Sequence, residues 1–298
     1  MSQTFKVVVT DQVFPSIDIE TQLLAAIGAR IEVADGTSDG VARLGGDADA
    51  LLNTYLPITD QLLAQLPACK IVARYGIGTD NVDVAAAARR GVVVTHVPDY
   101  SLEEVAVHAL CLMLALTRRL PEASRLVAGG GWGLDGLRPI RRLSTQQAGL
   151  VGFGRIARCL AGYLTALGCA VVAHDPFLQP EPGLPPLLTL PELLSRCDVV
   201  SLHTPLTPRT RGLIGAAELA MMKPTAVLIN TARVGLVDTG TDTEPPVAGR
   251  LPGNLQGLLV TPHMAYYSEE SLAESQRKAA TQIIKVLTGG QPDYPVRP

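Results

Sequence analysis

Aromatic residues are scarce in this chain of 298 residues, at 4% of the sequence, and tryptophan occurs once. Hydrophobic residues still make up 47%, so we expect aliphatic cores in a chain that is long enough for two domains. The chain also has no excess of positive charge, and its net charge is −3. The sequence therefore carries no electrostatic footprint for nucleic acid or for an anionic membrane surface.

Paired cysteines with the spacing of a metal site are missing as well. The five cysteines show no C-x-x-C spacing and lie in apolar or helical contexts, at Cys69, Cys111, Cys159, Cys169 and Cys197. We interpret them as reduced core thiols and predict no metal site. The longest apolar run, 105–117, contains His108 and is too short to cross a bilayer. Because the first residues show no signal-peptide pattern, we expect a soluble, cytoplasmic protein with no membrane partner.

The sequence does contain a regular alternation of strand-like and helix-like segments. Apolar or β-branched runs predict strands at 5–10, 50–53, 70–73, 92–94, 149–153, 170–174, 199–203, 226–230 and 258–261. Helical spacing lies between most of them, and Ser101 with Glu104 predicts a capping box that starts a long helix reaching about residue 120. Another helix is predicted over 268–287. This βαβα order indicates parallel sheets covered by helices.

A dinucleotide-binding fingerprint follows the predicted strand at 149–153. Gly152, Gly154 and Ala157 form G-x-G-x-x-A, and the next strand ends in Asp175 about twenty residues on. The first glycine permits a tight turn, the second lets the backbone approach a pyrophosphate, and the small third residue lets helix and strand pack. The alternative is a glycine turn that serves packing alone. The predicted cofactor contacts of this loop are Gly152, Gly154, Arg155 and Ile156.

Asp175 decides between the two nicotinamide dinucleotides. A carboxylate there accepts hydrogen bonds from a ribose and repels a 2′-phosphate, so NAD is favoured over NADP. The other interpretation is a turn aspartate before Pro176. His203 and Thr204 end the predicted strand 199–203, where either a contact with the cofactor or turn chemistry explains them.

Together with further motifs, these residues resemble the D-isomer-specific 2-hydroxyacid dehydrogenases over nearly the whole chain. The markers are the fingerprint at Gly152, RYGIGTDNVD at 74–83, HTPLT at 203–207, NTAR at 230–233, Glu244-Pro245 and TPH at 261–263. The stretch HMAYYS at 263–268 is most similar to the branch that contains the C-terminal-binding protein corepressors.

The resemblance implies two Rossmann-like domains, each a doubly wound parallel sheet, with an interdomain cleft. A substrate domain would comprise 1–97 plus 267–298, and a dinucleotide-binding domain 98–266. The implied reaction is hydride transfer between NAD(H) and a small 2-hydroxy or 2-oxo acid. The resemblance also implies a homodimer built on the nucleotide domain and the helix at Ser101. It adds Pro205, Thr231, Ala232 and Arg233 to the predicted cofactor contacts.

The family's catalytic arginine, glutamate and histidine fall, by motif, on Arg233, Glu244 and His263. A guanidinium suits a carboxylate or a carbonyl oxygen, and an imidazole can donate and accept the proton of the reaction. Glu244 would orient the ring and favour its charged form. Arg233 can alternatively be a surface or cofactor-loop arginine, and His263 can simply cap or pack.

The substrate residues are predicted from the glycine-rich run at 74–78. Backbone N–H groups of Tyr75, Gly76 and Ile77 can cradle a carboxylate, since the glycines allow close approach. Arg74 either binds an anionic group of the substrate or forms a structural salt bridge. Tyr266 either lines the pocket or packs.

The segment between Asp238 and Glu244 is shorter than the family pattern by about one crossover unit, on the order of a dozen to twenty residues. Two interpretations stay open: the sequence omits a stretch that the molecule contains, or the nucleotide domain lacks one crossover helix and strand. The shortening and the corepressor-like stretch also support a second hypothesis, an NAD(H)-sensing interaction protein with little or no turnover. A third is an inactive relative.

Overall fold

The computed structural model of the chain describes residues 5–238 and 259–298. It divides into two units, Met1–Tyr100 with Tyr267–Pro298, and Ser101–Tyr266. Each unit is built on its own sheet, and all strand pairs in both sheets are parallel. The predicted α/β class, with two parallel sheets and helices between the strands, is confirmed.

The first unit contains a five-stranded sheet in the order β2-β1-β3-β4-β5. Its strands are β1 Lys6–Val9, β2 Arg30–Val33, β3 Ala50–Asn53, β4 Ile71–Arg74 and β5 Val93–Thr95. The side chains of β1, β3 and β4 are buried along their whole length, which is typical of parallel strands covered on both faces. The edge strand β2 is partly exposed, and the sequence analysis missed it because its residues, RIEV, are half polar.

The helices of the first unit are α1 Asp18–Leu24, α2 Ser38–Gly45, α3 Asp60–Leu63, α4 Val84–Arg89 and α10 Glu269–Leu287. A side-chain oxygen caps four of them, from Thr37, Thr59, Asp83 and Ser268.

A buried polar cluster joins the first and last helices of this unit. Glu20 of α1 is fully buried, and its carboxylate accepts hydrogen bonds from Gln276 Nε2 of α10 at 2.9 and 3.0 Å. It also accepts one from the hydroxyl of Tyr75 at 2.7 Å. Burial raises the pKa of Tyr75 well above its ordinary value, so the phenol stays protonated and donates a hydrogen bond to Glu20.

The second unit contains a four-stranded sheet in the order β7-β6-β8-β9 among its described residues. Its strands are β6 Gln147–Val151, β7 Ala170–His174, β8 Val199–Leu202 and β9 Val227–Asn230, close to the predicted positions. A further strand was predicted at 258–261, and this is wrong for the part that the structure describes. Leu259–Thr261 forms no strand, and Val260 is 52% exposed, because no described strand pairs with it.

The helices of the second unit are α5 Leu102–Thr117, α6 Leu120–Ala128, α7 Arg155–Ala166, α8 Leu190–Arg196 and α9 Ala216–Met221. The long helix predicted from Ser101 to about 120 ends earlier, and Arg119 takes a left-handed conformation with φ 57° between α5 and α6. The predicted capping box is not formed, because the hydroxyl of Ser101 is buried and makes no capping hydrogen bond. No helix within the two described ranges combines the length and apolar character that a membrane crossing requires.

Candidate active site

The glycine loop joins β6 to α7 in the second unit. Gly152 has a φ of 83°, which disfavours every residue with a side chain. A Cβ atom there would lie 2.9 Å from the carbonyl carbon and oxygen of His203 and 3.0 Å from the nitrogen of Thr204. The loop therefore passes directly against the residues that follow β8, as expected for carboxyl ends of neighbouring parallel strands.

The start of α7 leaves space and donors for an anion. Gly154 is the residue before the helix, and it has no side chain to cap the N–H groups of the first turn. A Cβ atom on Gly154 would meet none of the described residues outside its own helix and its chain neighbours within 4 Å, so these residues leave the space beside it open to a ligand. Ala157 is fully buried, in keeping with close packing of α7 on the sheet. Arg155 is exposed and Ile156 half-buried on the same first turn. These features fit the pyrophosphate of a dinucleotide.

Asp175 follows β7 and is half-buried. Its Oδ2 accepts a hydrogen bond from the backbone N–H of Phe153 at 2.9 Å, and its Oδ1 accepts one from Phe177 at 3.0 Å. The second bond is the turn contact that the sequence left open as an alternative. Because each carboxylate oxygen accepts more than one hydrogen bond, the turn contact and a ribose contact are compatible.

His203 lies directly after β8 and is half-buried. Its Nε2 is 2.9 Å from Oγ of Ser201, and burial lowers the pKa of the imidazole to about 4. The ring is therefore neutral near pH 7. Thr204 and Pro205 continue the same segment, and the carbonyl of Pro205 accepts a hydrogen bond from Oγ1 of Thr210 at 2.6 Å.

Arg233 lies in a turn that Asn230 holds at the end of β9. Asn230 Nδ2 donates to the carbonyl of Arg233 at 2.8 Å, and its Oδ1 accepts from the N–H of Ala232 at 3.1 Å. The hydroxyl of Thr231 is buried and finds no hydrogen-bond partner among the described residues. Asn230 was not among the predicted site residues, although asparagine at a strand end followed by a small-residue turn is the signal for this geometry.

His263 is exposed, and its ring centroid lies 5.8 Å from that of Tyr266. Two residues earlier, Oγ1 of Thr261 is 3.2 Å from Nε2 of His108 on α5. Burial lowers the pKa of His108, so its neutral ring can accept from this hydroxyl. His108 was interpreted as structural, and its partner belongs to the segment that leads to His263. Glu244 lies outside the described residues.

The predicted substrate residues at 74–77 are in the first unit, after β4, whereas Tyr266 belongs to the second unit. Arg74 is buried, its Nε donates to Oδ1 of Asn81 at 2.9 Å, and a Cβ on Gly76 would lie 2.0 Å from Arg74 Nη1. Tyr75 turns inward to Glu20, and its N–H donates to the carbonyl of Asn53 at 2.9 Å. A carboxylate cradle in this loop is therefore limited to the N–H groups after Tyr75.

The structure brings Gly152, His203 and Thr204 together and ties Asp175 to the same glycine loop. Arg74, Tyr75, Gly76 and Ile77 form a second group in the other unit. Across 5–238 and 259–298, no group of three His, Cys, Asp or Glu side chains is arranged to hold a metal ion.

Comparisons with known proteins assign the second unit. The family model for "D-isomer specific 2-hydroxyacid dehydrogenase, NAD binding domain" matches residues 110–241, so the cofactor of this unit is NAD. A glycerate dehydrogenase of Methylorubrum extorquens is 37% identical over 257 residues, which cover 78% of this chain and 80% of that protein. The crystal structure of the TT0316 protein of Thermus thermophilus matches with a TM-score of 0.88 at 33% identity, covering 98% of this chain and 100% of that one.

A D-3-phosphoglycerate dehydrogenase of Mycobacterium bovis is 35% identical over 302 residues, covering 93% of this chain. The match covers 55% of that relative, so this chain spans about half the length of the curated phosphoglycerate dehydrogenase that it resembles. Both relatives are named as dehydrogenases, and they give no support to the NAD(H)-sensing corepressor alternative.

Proposed function

This chain belongs to the D-isomer specific 2-hydroxyacid dehydrogenase family, and from this premise we propose that it transfers a hydride between NAD(H) and a small 2-hydroxy or 2-oxo acid. The observation that carries the proposal is the glycine loop. Its uncapped helix start, its open space at Gly154 and its hydrogen bond to Asp175 together suit a dinucleotide with a free ribose hydroxyl pair.

Residues of the second unit would hold NAD. The first turn of α7 would bind the pyrophosphate, and the remaining lone pairs of Asp175 would accept from the ribose hydroxyls. The negative charge of Asp175 disfavours a 2′-phosphate, which supports NAD over NADP. When bound, the nicotinamide ring supplies or accepts the hydride.

We assign the proton and charge chemistry to three side chains. His263 would donate a proton to the carbonyl oxygen during reduction and accept it during oxidation. Arg233, on the turn held by Asn230, would bind the carboxylate or the carbonyl oxygen through its planar guanidinium. Glu244 would orient the imidazole of His263.

The first unit supports our proposal for the substrate class. The backbone N–H groups of Gly76 and Ile77 suit a carboxylate, and the guanidinium of Arg74 lies against Gly76. A buried arginine beside this loop supports an acid with a second polar or anionic group, which is consistent with relatives named for glycerate and D-3-phosphoglycerate. We also propose Tyr266 as a substrate-binding residue.

The test is NADH oxidation, followed by absorbance, with glyoxylate, pyruvate, hydroxypyruvate and phosphohydroxypyruvate. We expect turnover with at least one acid and a loss of at least a hundredfold in kcat for His263→Gln, since general acid–base catalysis contributes about 10²–10⁴-fold. Arg233→Lys keeps the positive charge but loses the two parallel N–H donors of the guanidinium, and we expect it to raise KM. Tight NADH binding without turnover of any acid would exclude the proposal.

We also propose a homodimer. Large apolar side chains are exposed on α5, on α6 and in the loop that follows, namely Val107, Leu120, Val127, Trp132 and Leu134. These side chains would be buried if a second copy of this chain packed against them. Sedimentation of Leu120→Glu should show monomers, whereas Leu219→Glu, which changes an exposed leucine on α9, should leave the dimer intact.

A further inference from the structure

Three consecutive carbonyl groups in the loop after β4 are each held by a different donor. The hydroxyl of Ser275, on α10, donates to the carbonyl of Tyr75. The N–H of Val97 donates to the carbonyl of Gly76 at 3.1 Å. Nδ1 of His96 lies 2.7 Å from the carbonyl of Ile77. All of these residues belong to the first unit.

Holding a carbonyl also fixes the next N–H group. In a trans peptide the C=O and the following N–H point in opposite directions, and the peptide bonds of this loop are trans. The three anchors therefore orient the N–H groups of Gly76, Ile77 and Gly78 away from the donors. Among the described residues, none of these three N–H groups has an acceptor. The loop presents three oriented and unused donors in sequence.

The geometry indicates which ring nitrogen of His96 carries a proton. A carbonyl oxygen only accepts hydrogen bonds, so Nδ1 of His96 carries the proton and donates it to Ile77. The backbone of His96 is held as well, since its N–H donates to the carbonyl of Tyr294 at 3.3 Å. Nearby, the N–H of Val296 donates to the carbonyl of Val94 at 2.8 Å. The imidazole of His96 therefore extends from a backbone segment that is hydrogen-bonded to the end of the chain.

We propose that His96 is a positioning residue for the carboxylate of the substrate. Its Nδ1–H holds the peptide plane between Ile77 and Gly78, and the N–H of Gly78 in that plane receives a carboxylate oxygen. This inference rests on the proposed function, because it takes the substrate to be a 2-oxo acid. His96 itself touches no substrate and acts through the loop.

Two substitutions separate positioning from simple packing. The side-chain nitrogen of asparagine sits at the same branch of the chain as Nδ1 of histidine, so His96→Asn keeps a donor toward the carbonyl of Ile77. His96→Leu fills similar space without a donor. A packing role would favour leucine over asparagine, whereas the positioning role favours asparagine over leucine.

The experiment is a titration of the NAD⁺-loaded protein with pyruvate, a pair that cannot transfer a hydride, in which NMR reports the amide signal of Gly78. We expect this signal to shift on binding in the wild type and in His96→Asn, with dissociation constants within about twofold of each other. In His96→Leu the dissociation constant, and the KM in steady-state assays, should rise on the order of five- to tenfold, as for the loss of one hydrogen bond. The dissociation constant of NADH should not change.

The inference is overturned if the Gly78 signal ignores pyruvate, or if His96→Leu binds pyruvate as tightly as the wild type. It is equally overturned if His96→Asn loses as much affinity as His96→Leu. The amide shift needs no turnover, so it separates this inference from the proposed function. A protein that binds pyruvate at Gly78 but reduces no 2-oxo acid would refute the function and keep the role of His96.

Discussion

Oδ2 of Asp175 accepts a hydrogen bond from the backbone N–H of Phe153, inside the glycine loop, at 2.9 Å. The other oxygen of the same carboxylate holds the turn at Phe177. One side chain thus connects the end of β7 to the loop between β6 and α7. Asp175 shapes the proposed cofactor site before any ribose binds, and its substitution should change both the loop and the choice of dinucleotide.

Asp175→Asn should lower the affinity for NADH about tenfold, since it removes the charge that strengthens hydrogen bonds to Phe153 and to a ribose. The affinity for NADPH should change less, because the repulsion of the 2′-phosphate disappears at the same time. The measurement is calorimetric titration with both dinucleotides. An unchanged ratio of the two dissociation constants would refute this role of Asp175.

Gly152→Ala and Gly154→Ala should both abolish dinucleotide binding, for different reasons. An alanine at 152 has an unfavourable φ and meets the backbone of His203, so we expect a loss of about 2–3 kcal/mol in the free energy of unfolding. An alanine at 154 meets no side chain among the described residues and should leave that free energy within about 1 kcal/mol. Denaturant unfolding and NADH titration on each variant distinguish the two effects. Equal destabilisation by both would contradict the prediction.

The stability of the chain should depend on His203 at acidic pH. Its pKa is about 4 in the folded chain and 6.5 when unperturbed, so the unfolded state binds its proton first as the pH falls. The neutral ring of His203 makes its full contribution to the free energy of unfolding above about pH 6.5. This contribution is lost between pH 6.5 and 4, by up to about 3 kcal/mol. His203→Gln keeps a group near Ser201 that does not titrate. Its free energy of unfolding should fall less than that of the wild type over this range, and parallel pH curves would count against the assignment.

His108 and Thr261 should be coupled in catalysis. The bond between them holds the segment before His263, so His108→Phe and Thr261→Val should each lower kcat by about five- to tenfold without changing NADH affinity. Because both substitutions remove the same bond, the double variant should be no slower than either single one. Multiplicative losses in the double variant would show that the two residues act separately.

The sequence predicted those parts of the fold in which local chemistry and burial agree. The fully buried and largely apolar strands β1, β3 and β4, and the spacing of Gly152, Gly154 and Ala157, are such cases. It failed where tertiary context decides. Edge strand β2 has a mixed pattern because only one neighbour covers it. The α5 pattern continues past Thr117, but Arg119 breaks the helix with one left-handed residue.

The polar part of the site was predictable to a similar extent. Motif positions indicated Asp175, Arg233 and the loop after β4. Asn230 forms hydrogen bonds to two backbone groups of the turn at Arg233, and its place at a strand end before small residues is a signal that could have indicated it. His96 forms a hydrogen bond to a backbone carbonyl, and such a bond leaves no pattern of spacing. The buried Glu20 lies on a helix with polar neighbours, so nothing local indicates that Tyr75 and Gln276 surround it.

The pairing of Glu20 with Gln276 orders events during synthesis on the ribosome. Residues 101–266 form one continuous unit and can fold as soon as they emerge. The unit that contains the first hundred residues cannot complete its folding at that stage. Glu20 and the carbonyl of Tyr75 form hydrogen bonds with Gln276 and Ser275, which are synthesised near the end of the chain. A nascent chain released before α10 would lack the hydrogen bonds from Gln276 to Glu20 and from Ser275 to Tyr75, and it would expose the strands that α10 contacts, which makes it a natural client for chaperones and proteases.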